Sequence, residues 1–310
     1  MVTGADSTGQ LSPRYYAAQS QVTDPGNFTA RVLQVPATLP AMRRAAQQLV
    51  FHYRGGGDFA ENGIAAERIG EIDTRYARDM LARIFELSDL PLTAQRSPRQ
   101  RIVGCCRDFT VLFLAIARAH GIPARARVGF GAYLDADWNL DHAIAEVWDA
   151  AEGRWRFVDP QLSDDHTDPS TGAQVDPQDL TGAQFLTGAA AWLACRSGAA
   201  DPERFIVGTD FGQPWAKGWS WLRHNLVLDL AALARHEMVL WDNWGLGELG
   251  TEPGPLQLAA LDDVAAAISS SYVSPATVQA LFERDGLRLP PVVSSWSPAS
   301  EVPLLVQPRA

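Results

Sequence analysis

The stretch TVLFLAIARAHG, which follows GCCRDF from residue 104, limits the possible folds more than any other part of the chain. Phe109, Leu112, Phe113 and Ile116 fall at i, i+3, i+4 and i+7, so one apolar stripe predicts a helix over 106–120. Gly121 ends that helix and Pro123 prevents its resumption. The period then changes from 3.6 to 2. ARARVGFGAY (124–133) alternates as a strand, and HAIAEVWD (142–149) and RWRFVDP (154–160) are two further strands around the turn-like AAEG. Helices followed by a run of antiparallel strands predict an α+β fold.

Two helical patterns precede this segment. Met42, Ala46 and Leu49 recur at helical spacing, as do Ile72, Tyr76, Met80 and Ile84, with Gly55, Gly56 and Gly57 breaking the two apart. Residues 1–30 are rich in Ser, Gly, Thr and Pro and read as a loosely held lead-in. Residues 168–201 read as loop with short helical pieces near Phe185 and Trp192, and 222–240 as one long helix. Around that helix lie Phe211, Trp215, Trp219, Trp221, Trp241 and Trp244, for which packing in a core or lid is the ordinary role and ligand stacking the alternative. Two short helices are expected in 255–285, and an extended tail from Pro290. The expected organisation is a lead-in (1–30), a catalytic domain (31–250) and a C-terminal helical extension with a Pro/Ser-rich tail (251–310).

The bulk numbers exclude several classes. With 46% hydrophobic and 20% charged residues, 310 residues can bury a full core without staples. A formal net charge of −10 is the reverse of what a nucleic-acid binder carries. No apolar run reaches the roughly 20 residues of a membrane span, and the polar N-terminus lacks the pattern of a signal peptide. Three cysteines, an odd number, argue against a disulfide framework and for a reducing compartment, so the expected location is cytoplasmic.

Chemistry concentrates in the central hundred residues. A cysteine at a helix start meets unpaired N–H groups and the positive dipole end, which depress a thiol pKa. Arg107 adds positive charge, Asp108 suits the first turn, and Gly104 permits close backbone approach. If Ala150 and Ala151 form a tight loop, 149 pairs with 152 and His142 faces Asp159; a loop longer by two residues leaves Asp159 as a diagonal neighbour. Either register brings the two side chains onto one face. An Asp accepting the Nδ1–H of a His whose other nitrogen faces a Cys is the general acyl-transfer arrangement. Periodicity does not decide between Cys105 and Cys106.

GCCRDFTVLFLAIARAHGIPARARVGF, then DHAIAEVWD, then RWRFVDPQL, resembles the core of the transglutaminase-like superfamily. Its pattern runs G-x-C-R-D/S-F/Y-A, G-I-P-A-R, H-A/W-x-x-E and D-P/A-x. The resemblance implies a papain-like fold, with the nucleophile helix packed on an antiparallel sheet. It gives Cys106 the nucleophile position, His142 the base position and Asp159 the orienting position, and leaves Cys105 in a variable slot as filler. A looser likeness to a bacterial subgroup runs through AWLACRSG, DPERF, LDLAAL and WDNWG. Ile144 departs from the family's common Trp, and the usual oxyanion-stabilising side chain has no placeable equivalent. The backbone N–H of Cys106 is a candidate for one oxyanion donor.

These readings have plainer competitors. Cys105 and Cys195 read as packing. His52, His120, His224 and His236 read as ordinary surface or satisfied residues. A metal set of Cys105, Cys106, His142 and His166 lacks chelate spacing, and no cofactor or calcium loop is expected. Arg99, Arg101, Arg118, Arg125 and Arg127 read as solvated or salt-bridged, with a pocket for an acidic substrate as the alternative, and Glu146 as a salt-bridge or supporting partner. The resemblance therefore implies a cysteine acyltransferase or hydrolase acting on a peptide, amide or acyl thioester. An amide-forming enzyme that takes acyl groups from an acyl carrier protein and a non-catalytic binding module are the alternatives.

Overall fold

The computed structural model describes residues 13–209 and 212–309, which leaves Phe211 outside the described residues. Its centre is a mixed sheet of β3 (Ala124–Gly131), β4 (Asn139–Asp149), β5 (Arg154–Val158) and β6 (Phe185–Thr187) in the order β5-β4-β3-β6, with β7 (Phe205–Ile206) parallel to β4. β1 (Val50–His52) and β2 (Ile102–Gly104) form a separate parallel pair, in which His52 lies opposite Gly104. This is the α+β arrangement that the order of periodicities predicts, and it agrees with the helix-on-sheet packing that the resemblance implies.

The helix α4 (Cys106–Ala119) lies against β3 and β4, and Thr110 Oγ1 donates to Ala143 O at 2.9 Å. Gly121 ends the helix with φ +71°. One buried stripe was expected, but every residue from Cys106 to Arg118 is buried. α2 (Leu39–Leu49), α3 (Ala77–Leu87), the short α1 (Thr29–Val32) and residues 13–17 also pack against α4. The polar residues of the helix are bonded internally: Arg118 pairs with Glu237 at 2.8 Å, and Arg107 donates to Glu237 O. Part of the segment expected as a loose lead-in takes part in this packing. Buried Tyr16 donates to Leu233 O, and Ser20 Oγ donates to Glu237 at 2.7 Å.

Several boundaries differ from the sequence expectation. Ile72 belongs to a 3-10 turn over Ala66–Asp73, and Tyr76 is extended, so α3 begins only at Ala77. Phe185 lies in a strand and not in a helical piece; α5 (Gly188–Arg196) follows it directly. The long helix, α6, spans Gly218–Leu233 and stops before 240. Arg235 takes a left-handed φ of +69°, and Met238, Val239 and Leu240 are buried in non-helical chain, which explains why they read as helix by apolarity alone.

The helix α6 packs against β3 where β6 stops. Gly129 pairs with Thr187 at the end of β6, and the next amide, Val128 N–H, donates to Asp229 Oδ1 at 3.1 Å in place of a strand partner. α7 (Pro255–Ile268) and α8 (Pro275–Phe282) are the two helices expected near the C-terminus. The tail returns to the body of the protein: β9 (Val293–Ser295) pairs with β8 (Asp242–Asn243) and with β10 (Leu304–Val306). No helix among the described residues is long and apolar enough to cross a membrane.

Candidate functional site

Cys106 is the first residue of α4, and the chain just before it has no slack. Cys105 is extended, its N–H donates to Asp108 Oδ2 at 2.8 Å, and its carbonyl accepts from Asp108 N–H. A Cβ on Gly104 would stand 2.7 Å from Asp108 Oδ2 and 2.8 Å from Val50 Cγ1, so glycine is the residue that fits. This fixes the Cys106 side chain at the N-terminal end of a fourteen-residue helix, where the dipole favours a thiolate.

His142 and Asp159 reach the same place through the longer of the two loops considered. Asp149 pairs with Arg154, so Ala150–Gly153 all lie in the loop, and Ala145 pairs with Val158. Strand pairing stops there, and Asp159 N–H turns away to Pro177 O. Asp159 is thus diagonal to His142, and its Oδ2 lies 2.9 Å from His142 Nε2. The geometry corrects one expectation: Nε2, not Nδ1, faces the carboxylate. His142 also hydrogen-bonds Cys106, so the three side chains are brought together.

The electrostatics follow from these contacts. Asp159 is wholly buried, which alone would raise its pKa, yet the charge and hydrogen bond of His142, Tyr133 and the N–H of Gln161 hold it at about 2. Burial disfavours a charged His142, but Asp159 and the Cys106 sulfur outweigh it and lift its pKa to about 10. For Cys106, a hydrogen bond from Cys105 comes first; burial opposes it, and His142 and His52 add to it, so the thiol is held well below its ordinary value. Cys105 itself is pushed well up, first by that same hydrogen bond and then by burial. These shifts favour a thiolate–imidazolium pair beside a neutral Cys105 thiol. Cys105 is buried in the core, as a filler is, and its hydrogen bond to Cys106 adds to the shift of the neighbouring thiol.

Both cysteines and His142 open onto a cavity of about 470 Å³. Trp215, Trp221, Trp241 and Trp296 line it, together with Leu134, Leu140 and Leu249. Packing was the ordinary reading for the tryptophan cluster, but three of its members wall this cavity. Trp219 instead meets Trp192 edge-on, and Trp244 donates to Leu287 O. Asp141 also lines the cavity; its Oδ1 is buried without a hydrogen-bond partner among the described residues, and burial lifts its pKa to about 8.

Three contributors escaped the sequence reading. Tyr133 donates to Asp159 Oδ2 at 2.6 Å. Trp296 comes from the C-terminal tail and is held by its N–H to Trp241 O. His52, read as ordinary, hydrogen-bonds Cys106 and lines the cavity. Nothing in one sequence marks a residue so far upstream; only the parallel pairing of β1 with β2 carries it to the cysteine. The other assignments are simpler. Cys195 is buried away from this cavity, and burial raises its thiol to about 11. Arg118, Arg125 and Arg127 are salt-bridged, as expected, but their pairs with Glu237, Glu146 and Asp229 are buried and not at the surface, so these three form no basic patch. Glu146 bridges Arg125 and Arg127. His166 bonds Tyr133 O, and no group of three His, Cys, Asp or Glu among the described residues is arranged to hold a metal.

Residues 88–160, which hold Cys106, His142 and Asp159, match the family model described as the transglutaminase-like superfamily. No curated protein matches this chain. Among solved structures, a candidate cysteine protease from Cytophaga hutchinsonii aligns with 18% identity and a TM-score of 0.32, covering 47% of this chain and 41% of its own length. That likeness spans less than half of either chain, and at this TM-score it carries no weight for function.

Proposed function

Given a transglutaminase-like core over residues 88–160, we propose that this protein is a cysteine acyl-transfer enzyme that works through a Cys106 acyl-enzyme. The Cys106 thiolate attacks an amide or thioester carbonyl. The S–C bond forms as the carbonyl π pair moves onto oxygen. His142, already protonated, gives its Nδ1 proton to the leaving nitrogen or sulfur as the tetrahedral intermediate collapses. Neutral His142 then takes a proton from water or from an amine, which attacks the acyl-enzyme and restores the thiolate. Asp159 keeps Nε2–H pointed at itself throughout and stabilises the imidazolium.

One observation carries this reading. The chain Cys106–His142–Asp159 is continuous in hydrogen bonds, and its cysteine end opens onto a cavity. A domain kept only for binding has no need to hold a thiolate and an imidazolium in contact. The cavity supports a narrower substrate class. Its volume suits a small acyl group, and four tryptophans with leucines suit an apolar or aromatic one. An apolar acyl thioester fits better than an acidic one, since Arg118, Arg125 and Arg127 are committed to buried pairs.

The test uses p-nitrophenyl esters and pantetheine thioesters of acetic, hexanoic and phenylacetic acids. Intact-mass spectrometry is expected to find one acyl adduct at Cys106, formed faster with the larger apolar acyls and absent in Cys106→Ala. No adduct with any of these donors, or one that persists in Cys106→Ala, contradicts the proposal.

A further inference from the structure

The site has a negative charge to stabilise after attack, and the Cys106 N–H, in the first turn of α4, is one candidate donor for it. His52 is placed to complete the set. Its Nδ1 accepts the N–H of Gly55 at 2.9 Å and that of Arg54 at 3.2 Å. A nitrogen that accepts two amide protons carries none of its own, so the ring proton is on Nε2. The ring is held in the plane that this requires: it stacks on Tyr53 at 5.5 Å and on Phe109 of α4 at 6.5 Å, with interplanar angles of 22° and 25°. β1 pairs with β2 in parallel, placing His52 beside Gly104, two residues before the nucleophile. The donating edge of the ring thus meets the Cys106 sulfur on the cavity wall.

We infer that His52 is a catalytic residue of this site, a neutral side-chain donor whose Nε2–H stabilises the oxyanion formed on the substrate carbonyl when Cys106 attacks. Before attack the negative charge is on sulfur, and His52 donates there. As the S–C bond forms, that charge moves to the carbonyl oxygen, bonded to the carbon that sulfur has just attacked. A donor within reach of the sulfur needs only a small shift to follow it. His142 cannot serve both ends, because its second proton must go to the leaving group. The two histidines therefore divide the work: His142 is charged and transfers its proton, while His52 is neutral and keeps it. Gly55 and Gly56 form the turn that presents the two amides, and a Cβ on Gly56 would stand 2.6 Å from His52 O.

The inference rests on the acyl-enzyme reading, and the experiment separates the two. Acylation of Cys106 by p-nitrophenyl acetate passes through an oxyanion; alkylation by iodoacetamide uses the same thiolate but forms none. His52→Asn keeps an acceptor for the Gly55 amide and removes the Nε2 donor. His52→Gln keeps a donor where Nε2 stood and loses that acceptor. In His52→Asn, acylation is expected to slow by about 10²- to 10³-fold while alkylation slows by less than about tenfold. In His52→Gln, much of the acylation rate is expected to return. Equal loss of both reactions in His52→Asn, or acylation in His52→Gln as slow as in His52→Asn, overturns the role. A wild-type Cys106 that is alkylated but never acylated overturns the acyl-enzyme reading itself.

Discussion

Tyr133 and His142 donate to the same carboxylate oxygen, Asp159 Oδ2, at 2.6 and 2.9 Å. The other oxygen, Oδ1, accepts the N–H groups of Gln161 and Leu162. The carboxylate is therefore held from both sides by neutral donors in addition to the imidazolium. Tyr133→Phe removes one charge-assisted bond, a loss of about 1.5–3 kcal/mol from whichever state depends on the carboxylate. Urea denaturation of this variant is expected to show reduced stability, and Cys106 acylation is expected to slow with little change in substrate affinity.

The ionisation pattern gives a pH signature. His142, raised to about 10, stabilises the fold fully below its unfolded value near 6.5, and that stability is lost as pH rises through about 10. Cys106, lowered, contributes above its unfolded value of about 8.5 and is lost as pH falls through its depressed folded value. Asp159, lowered to about 2, contributes above its unfolded value of about 3.9 and is lost as pH falls through about 2. The histidine and cysteine slopes oppose each other between about 6.5 and 8.5 and leave the histidine slope alone above that. The stability difference between wild type and a Cys106→Ala/His142→Ala double variant is expected to be nearly flat around neutral pH and to fall between about pH 8.5 and 10, by roughly 1.4 kcal/mol per unit at most.

Arg127 is the most committed cation of the central sheet. It donates twice to Asp229 at 2.8 Å, also reaches Glu146 at 3.2 Å, and is buried with both. Arg127→Met leaves Asp229 and part of Glu146 buried without a counter-charge, a loss of about 3–5 kcal/mol in the urea midpoint analysis. The paired replacement Arg127→Met with Asp229→Asn, which removes the orphaned charge and keeps an acceptor for Val128 N–H, is expected to recover part of it.

Gly104 has no room for a side chain, and its neighbour Asp108 fixes Cys105. Gly104→Ala is expected to cost about 1–3 kcal/mol by crowding. It is also expected to slow Cys106 alkylation, because the turn before the helix must shift. Thermal denaturation and alkylation kinetics read the two effects separately.

Trp296 tests the part the C-terminal tail plays in the cavity. Trp296→Ala removes one aromatic wall without touching Cys106 or His142. The KM for phenylacetyl esters is expected to rise by about tenfold, from roughly 1–2 kcal/mol of lost apolar contact, while acetyl esters are barely affected.

The core of the site is legible in the sequence because it is local. A helix start, a change of period and a short hairpin place the cysteine pair, His142 and Asp159 within one stretch of about sixty residues, consistent with the size of a supersecondary unit, while the choice of Cys106 over Cys105 is what the family resemblance implies. What the sequence does not display is whatever depends on distant pairing. His52 reaches the site through a three-residue parallel ladder, and Trp296 through a tail that reads only as Pro/Ser-rich. Arg118 and Arg127 read as surface because charged residues usually are, but their carboxylates Glu237 and Asp229 come from elements remote in sequence, whereas the partner of Arg125, Glu146, lies on the neighbouring strand, within reach of the sequence reading. Apolarity also overstated α6 at its C-terminal end, since buried loop and buried helix carry the same residues.

The most direct test of an assembled Cys106–His142–Asp159 site is iodoacetamide alkylation of the native protein across pH, read for each cysteine by peptide mass spectrometry in wild type and His142→Ala. Cys106 is expected to react fastest and to be already reactive at about pH 6.5, well below the free-thiol value of about 8.5, with that advantage lost in His142→Ala. A Cys106 that titrates like a free thiol, or that reacts equally fast without His142, would contradict the thiolate–imidazolium pair and the acyl-transfer function built on it.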